Sequence, residues 1–251
     1  MTATFAALLF AHVLADFVIQ TRWMVLNKHR PAVFAAHGAA VLATAALATG
    51  SLHPALLALA LAHLAIDAVK TFALPPRLSQ GLAAFLTDQA AHLATLALVA
   101  ALLPGLFGAG LWGRLGGGLP HLPPLMALAA GLILATRAGG FAIGMLMQPW
   151  AAGLIQRPDH SPGLLNGGQV IGHLERGMIF LLVLSGQAGA IGFLIAAKSV
   201  LRFGTVGDDR AASEYVIIGT LASFGWAIAV SVGTVTLMAS LPPLGIPDLS
   251  P

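Results

Sequence analysis

Long apolar segments separated by short polar connections make up most of the chain. A helix needs about 20 mainly apolar residues to cross a membrane. By this measure we expect eight spans, near residues 3–21, 33–49, 54–72, 81–103, 123–147, 169–185, 188–203 and 214–240. The sixth and seventh segments are short enough to form a re-entrant pair instead. The pattern therefore predicts an all-α, polytopic membrane helix bundle with about eight transmembrane helices, and six or seven as the alternatives.

Composition leads to the same class of protein. Of the 251 residues, 58% are hydrophobic and 8% are charged, whereas about a quarter of the residues in a soluble domain are charged. A single soluble core cannot bury such an apolar excess, so we expect lipid to surround the chain. Cysteine is absent, which excludes disulfides, thiolate metal sites and cysteine nucleophiles.

Basic residues are distributed unevenly between the two sets of connections. One set holds Arg114, and the other set holds Arg22, Lys28, Arg30, Lys70, Arg77, Arg157, Lys198, Arg202 and Arg210. The positive-inside rule places the richer set in the cytoplasm and both termini outside. We therefore expect an integral protein of the bacterial cytoplasmic membrane, with membrane lipid and not nucleic acid as its partner. The oligomeric state is open.

A Gly/Pro-rich stretch divides the chain, because helices do not continue through such residues. We expect a four-span part over residues 1–103, a linker over 104–122, a second transmembrane part over 123–241 and a tail over 242–251.

Polar residues recur at four-residue intervals inside the first span, which stacks them on one helix face. The third span repeats the pattern, and a basic turn and an Ala-Ala-His sequence follow each copy. The two units contribute His12, Asp16 and His37, and then His63, Asp67 and His92. This self-similarity predicts a duplicated helical hairpin, with the two copies related by an axis along the membrane normal.

With Asp88, seven ionisable groups fall within a layer roughly 10 Å deep in the cytoplasmic half of the membrane, given the 1.5 Å rise per residue. Such groups are costly in lipid unless they are paired or face a wet cavity. We therefore expect them to face one another. Imidazole and carboxylate groups together bind zinc, iron or manganese, and zinc is the first choice. The predicted metal ligands are His12, Asp16, His37, His63, Asp67, Asp88 and His92.

His and carboxylate groups one turn apart on facing helices also build dinuclear metal sites. The catalytic candidates are Asp16, Asp67 and Asp88, one of which is expected to act as a general base. Gln20 and Gln89 lie beside the cluster, and we expect them to orient ligands through hydrogen bonds. Their alternative role is to form hydrogen bonds between helices.

A second polar group lies in the last spans. Glu175 and Arg176 occur in a span with few other polar residues, which predicts a buried ion pair. Lys198 and Arg202 are one turn apart near the cytoplasmic end of a span. Together with Arg176 they are candidate contacts for a lipid phosphate or another anionic substrate group. The alternative is that these side chains reach the interface and pair internally.

Several motifs resemble a bacterial family of small integral membrane proteins, a domain of unknown function. The first motif comprises His12, Asp16, Phe17, Gln20, Thr21, Trp23 and Met24, and the second comprises Asp88, Gln89 and His92. Similar stretches in the second half run from Ile171 to Arg176 and from Ala190 to Phe203, and include Glu214 and Tyr215. The resemblance covers most of residues 8–95 and 168–225, and it implies no activity.

These observations favour a metal-dependent hydrolase, with a dinuclear centre as one form of the site, that acts on a lipid or lipid-linked substrate from the cytoplasmic leaflet. The use of His and Asp from several spans is similar to intramembrane zinc amidases of the ceramidase type, as an analogy of reaction type. A metal-ion or proton-coupled transporter is the first alternative, because His/Asp chains also serve transport. A structural or accessory membrane subunit is the second.

Overall fold

The computed structural model describes residues 1–115, 119–155, 166–203 and 210–244. Part of the predicted linker (116–118) and most of the predicted tail (245–251) lie outside these ranges. The helices, numbered along the chain, are α1 (Thr2–Leu14), α2 (Arg22–Leu26), α3 (Pro31–Thr49), α4 (Pro54–Ala68), α5 (Pro76–Ser79), α6 (Gly81–Leu102), α7 (Leu106–Ala109), α8 (Leu111–Arg114), α9 (Leu122–Ile133), α10 (Gly139–Ile155), α11 (Gly167–Leu184), α12 (Ile191–Phe203) and α13 (Arg210–Ala239).

The expected all-α bundle is confirmed. Among the described residues, six helices are long and apolar enough to cross a membrane: Thr2–Ile19, Pro31–Thr49, Pro54–Ala73, Gly81–Leu102, Leu122–Ala151 and Arg210–Ala239. The sixth and seventh predicted spans correspond to α11 and α12, which are not among the six. Thirteen residues of α12 extend only about 20 Å at 1.5 Å per residue, which is short of the roughly 30 Å of hydrocarbon.

The chain divides into two compact units. The first contains Met1–Ile133 and Thr236–Ile246, and the second contains Leu134–Val235 and Pro247–Pro251. The first unit therefore includes α9 as well as the four predicted N-terminal spans. Part of the predicted linker is helical, because α7 and α8 lie within it.

Helix α1 lies at the centre of the first unit and packs against α3, α6 and α9. Its small side chains Ala6, Ala7 and Ala11 are at most 2% exposed, and they allow neighbouring backbones to approach closely. The pairs α1–α3, α3–α4, α4–α6 and α6–α1 all pack together. These four helices thus form a closed ring of contacts.

The ends of these helices follow from local sequence. Pro31 and Pro54 occupy the first turns of α3 and α4, where a missing N–H costs no hydrogen bond. Helix α3 ends at Gly50 with φ 61°, a left-handed conformation that favours glycine. The Nδ1 atom of His53 accepts a hydrogen bond from the backbone N–H of Ala55 at 3.2 Å. His53 therefore caps α4.

Both motif helices continue into a wider π-helical turn, α1 through Ala15–Ile19 and α4 through Val69–Ala73. A third π turn, Leu134–Ala138, joins α9 to α10. Such turns occur often at functional sites. The first one contains Asp16 and the second one begins two residues after Asp67. The same deviation from α geometry therefore accompanies both copies of the His-x-x-x-Asp motif.

In the second unit, Ile179, Ile191, Phe224 and Ala227 form a buried apolar cluster. These side chains join α11, α12 and α13. Trp226 on α13 donates a hydrogen bond from Nε1 to the Leu134 carbonyl oxygen at 2.9 Å. This bond satisfies a backbone acceptor of the third π turn.

Candidate metal centre

The ring of α1, α3, α4 and α6 brings all seven predicted ligands to one place. His12 comes from α1 and Asp16 from its π turn. His37 lies on α3. The remaining members are His63 and Asp67 on α4 and Asp88 and His92 on α6. Each of the four helices of the ring therefore contributes at least one ionisable group.

The cluster is buried. The four histidines are at most 3% exposed. The carboxylate side chains are 10% exposed for Asp16, 5% for Asp67 and 8% for Asp88. Ionisable groups at this depth require partners of opposite charge or bound cations.

Four donor atoms form a compact central group: Asp16 Oδ1, His37 Nε2, His63 Nε2 and Asp67 Oδ2. The two imidazole nitrogens are 3.0 Å apart. Asp16 Oδ1 lies 3.5 Å from the first and 3.4 Å from the second, and Asp67 Oδ2 lies 3.3 Å and 3.5 Å from them. A tetrahedral zinc ion at about 2.0–2.1 Å from its ligands separates them by roughly 3.3–3.4 Å. Five of the six separations among these four atoms are therefore close to the edges of a zinc site.

A second donor group adjoins the first. His92 Nε2 lies 3.9 Å from Asp67 Oδ1 and 3.8 Å from Asp88 Oδ1. The three residues offer ligand atoms within 4.8 Å of one another. Asp67 thus has one oxygen in each group. The set formed by His12, Asp16 and His63 meets the same distance limit.

The four imidazole rings are arranged around His63. Its ring stacks on that of His92, with a centroid distance of 4.0 Å and an interplanar angle of 23°. The centroids of His37 and His12 lie 5.1 Å and 5.5 Å from it. Imidazolium ions in such contact would repel one another. Neutral imidazole is the form that binds metals.

Several buried nitrogen and oxygen atoms of the cluster have no hydrogen-bond partner among the described residues. They are Asp16 Oδ1, Asp88 Oδ1, His12 Nδ1, His37 Nδ1 and both ring nitrogens of His92. An unsatisfied polar atom in an apolar interior costs about 1–3 kcal/mol. A bound cation would satisfy those that point into the cluster.

The two predicted orienting glutamines behave differently. Gln89 Oε1 lies 3.2 Å from His12 Nε2, and its Nε2 donates to Asp88 Oδ2 at 3.3 Å. Gln89 therefore links a histidine and a carboxylate of the cluster. The buried Nε2 of Gln20 has no partner among the described residues. Gln20 ends the first π turn, where its backbone N–H donates to the Ala15 carbonyl oxygen at 2.9 Å.

Two lysines contact the cluster, although the sequence alone indicated only a topological role for them. Lys28 Nζ lies 2.7 Å from Asp67 Oδ2, and Lys70 Nζ lies 3.1 Å from Asp88 Oδ2. Their positions in the basic turn after each His-x-x-x-Asp copy are the signal that could have identified them. Both ammonium groups compensate carboxylate charge at the edge of the site.

The predicted polar group of the second unit is held by internal contacts. Glu175 accepts a hydrogen bond from Lys198 Nζ at 2.7 Å. Arg176, 3% exposed, donates to Ser223 Oγ at 3.0 Å and to the Thr136 carbonyl oxygen at 2.9 Å. Lys198 Nζ also lies 5.6 Å from the centre of the Phe224 ring. The side chain of Arg202 lies outside the described part of the structure.

Comparison with known proteins finds a family for the first part of the chain. Residues 4–107 match the family described as Protein of unknown function (DUF3307). This match confirms the resemblance to an uncharacterised domain family, and the matched range includes all seven residues of the cluster. The resemblance proposed for residues 168–225 stays a prediction. No curated protein and no solved structure is significantly similar to the chain.

Proposed function

We propose that this chain is an intramembrane metalloprotein that binds zinc, with iron or manganese as alternative ions, in the ring of α1, α3, α4 and α6. One observation carries the proposal. Asp16, His37, His63 and Asp67 present four donor atoms, and five of their six separations are 3.0–3.5 Å, close to the edge of a tetrahedral zinc site. The two carboxylates of this group also balance the charge of a divalent ion once the Lys28 ammonium group, 2.7 Å from Asp67 Oδ2, turns away.

The reaction that this donor set supports best is hydrolysis. When bound, a zinc ion polarises a carbonyl or phosphoryl oxygen and lowers the pKa of water towards neutrality. A carboxylate outside the central group is needed to accept a proton, and Asp88 lies next to that group. Its Oδ1 is 3.8 Å from His92 and has no hydrogen-bond partner among the described residues. Asp88 is therefore the proposed general base.

The proposed substrate is a lipid or a lipid-linked molecule with an ester, amide or phosphoester bond. Six apolar helices long enough to span a membrane leave lipid as the surrounding medium. With the basic turns in the cytoplasm, the cluster would lie in the cytoplasmic half of a bacterial cytoplasmic membrane, and both termini would lie outside. The cationic turns would then face anionic headgroups.

Metal analysis and an activity screen test this proposal together. Purified protein in lipid nanodiscs should contain at least one zinc ion per chain. It should cleave one class of lipid ester, amide or phosphoester, and a chelator should abolish the cleavage. Protein that takes up no added zinc, iron or manganese would refute the metal site. Protein with metal but no cleavage in any class would refute only the reaction.

Metal-ion transport is the second candidate, and the gradient of exposure along two ion pairs favours it. Side-chain exposure falls from 30% at Lys70 and 15% at Lys28 to 8% at Asp88 and 5% at Asp67. These ion pairs form a polar path from the basic turns to the buried histidines. Zinc flux into proteoliposomes, lost in Asp16→Asn and retained in His121→Ala, would establish transport. Absence of flux in protein with bound zinc would exclude it.

A further inference from the structure

We propose that the cluster holds two metal ions, bridged by Asp67, and that the second position is the open one to which a substrate oxygen binds. This inference rests on the proposed metal site and adds a second ion to it. The central group of four donors is the first position. The second position consists of Asp67, Asp88 and His92.

The two oxygens of Asp67 face different donor groups. Oδ2 lies 3.3 Å from His37 Nε2 and 3.5 Å from His63 Nε2. Oδ1 lies 3.9 Å from His92 Nε2, which is itself 3.8 Å from Asp88 Oδ1. A carboxylate with one oxygen in each of two donor groups is suited to bridge two ions, as in carboxylate-rich helix bundles.

Buried polar atoms without a hydrogen-bond partner are a separate observation that supports the second position. His92 is 0% exposed, yet neither of its ring nitrogens has a hydrogen-bond partner among the described residues, and Asp88 Oδ1 shares this condition. A buried imidazole without partners is unfavourable. A cation between His92 and Asp88 satisfies an atom of each.

The second position differs from the first in the number and spacing of its donors. It has three protein donors, and His92 Nε2 lies 3.8 Å and 3.9 Å from the other two. The first position has four donors, and five of their six separations are 3.0–3.5 Å. Four protein ligands close a zinc site, and three leave a coordination position for water or substrate. The reacting group therefore binds on the side of His92 and Asp88.

The net charge of the cluster would change when two divalent ions bind, and we expect the two lysines to move away. Asp16, Asp67 and Asp88 with Lys28 and Lys70 sum to −1, and two divalent ions would raise this to +3. The lysine side chains are 15% and 30% exposed, so their ammonium groups can turn to water. Filling of both positions therefore releases Lys28 and Lys70 from the carboxylates. Release of Lys70 leaves Gln89 as the hydrogen-bond partner of Asp88 Oδ2, and this oxygen then accepts a proton while Oδ1 binds the ion.

Zinc stoichiometry in the full chain tests the second position. Wild-type protein, stripped with chelator and reloaded with zinc alone, should bind two equivalents. His92→Gln and Asp88→Asn, which change few atoms, should each bind one. Cobalt loading gives a second readout, since removal of one of two sites should halve the visible absorption. His121→Ala is the matched control, because this exposed histidine bonds to the Pro243 carbonyl oxygen and should keep two equivalents.

The outcomes separate this inference from the proposed function. One equivalent in the wild type that persists in both variants would overturn the two-ion centre and leave the central site intact. No bound zinc in the wild type would overturn both. Each variant must elute as a single species in size-exclusion chromatography, and agreement between the two variants distinguishes ligand loss from misfolding.

Discussion

Single atoms decide the chemistry of this site. His63 Nε2 lies within 3.5 Å of donor atoms from three other residues, and its ring stacks on that of His92. His63 therefore connects the central group to the second position. Its loss removes a ligand and the ring around which the other three are arranged.

His63→Ala should therefore weaken zinc binding more than any change outside the cluster. Loss of a residue that only orients a ligand costs about 10–100-fold in affinity, so loss of a ligand should cost at least about 100-fold. Competition with a chromogenic chelator measures this change. His121→Ala should bind zinc as the wild type does. A His63→Ala protein with unchanged affinity would show that the central group is not the site.

A second prediction at the residue scale concerns Lys28. Its ammonium group lies 2.7 Å from Asp67 Oδ2, so Lys28→Met leaves a carboxylate without its counter-charge. Breaking a buried pair costs about 3–5 kcal/mol, and less here because Lys28 is 15% exposed. The metal-free variant should melt at a lower temperature than the wild type, and saturating zinc should remove most of the difference.

The measurement is thermal unfolding followed by intrinsic fluorescence, with and without zinc. Arg77→Met is the control. Arg77 is an exposed basic residue in the turn that follows the second copy of the repeated motif. If zinc does not raise the melting temperature of Lys28→Met towards that of the wild type, then the metal and the ammonium group do not share Asp67.

At the scale of elements, the spacing of α3 and α4 sets the distance between His37 and His63. A Cβ atom on Gly38 would lie 2.5 Å from Leu64 Cδ1 and 3.0 Å from Leu64 Cγ. Both residues follow a histidine of the central group directly. Glycine at position 38 therefore allows the close approach that places the two Nε2 atoms 3.0 Å apart.

Gly38→Val should push these helices apart and weaken zinc binding about tenfold or more, given a typical overpacking cost of 1–3 kcal/mol. No ligand is changed. Adding Leu64→Ala removes as many carbon atoms as the valine adds, and it should restore most of the affinity. A double variant as weak as Gly38→Val would assign the effect to α3 itself and not to the gap between the helices.

At the scale of the whole molecule, six candidate spans predict that both ends lie on one side of the membrane. Within the first unit, Thr2 Oγ1 donates to the Ser240 carbonyl oxygen at 3.2 Å, and the N-terminal ammonium group donates to the Pro104 carbonyl oxygen at 3.1 Å. The start of α1, the connection after α6 and the end of α13 therefore share one end of this unit.

Reporter fusions in a bacterial host test the orientation. Alkaline phosphatase should be active when fused after residue 251 or in the connection at residues 50–53, and inactive when fused after residue 28. Green fluorescent protein should show the opposite pattern. Activity after residue 28 would reverse the orientation inferred from the basic turns.

Much of this could be predicted from sequence, because hydropathy and spacing are local properties. The apolar segments predicted the all-α bundle, and four-residue spacing placed His12 with Asp16 and His63 with Asp67 on shared helix faces. The roles of Lys28 and Lys70 were missed, because a lysine in a basic turn has the same local sequence whether or not it reaches a carboxylate. The sequence alone does not decide whether α11 and α12 cross the membrane, since the apolar segments 169–185 and 188–203 are about as long as the shortest spans.

By itself, the sequence determined the class of the protein, the identity of the seven clustered groups and their separation along each helix, since these depend on composition and helix geometry. Only the tertiary structure decided which atoms meet. The ring of α1, α3, α4 and α6 joins Asp16 and His37 of one repeat to His63 and Asp67 of the other, and leaves Asp88 and His92 as a neighbouring set. Contacts between distant segments depend on packing across helices, which no local pattern encodes.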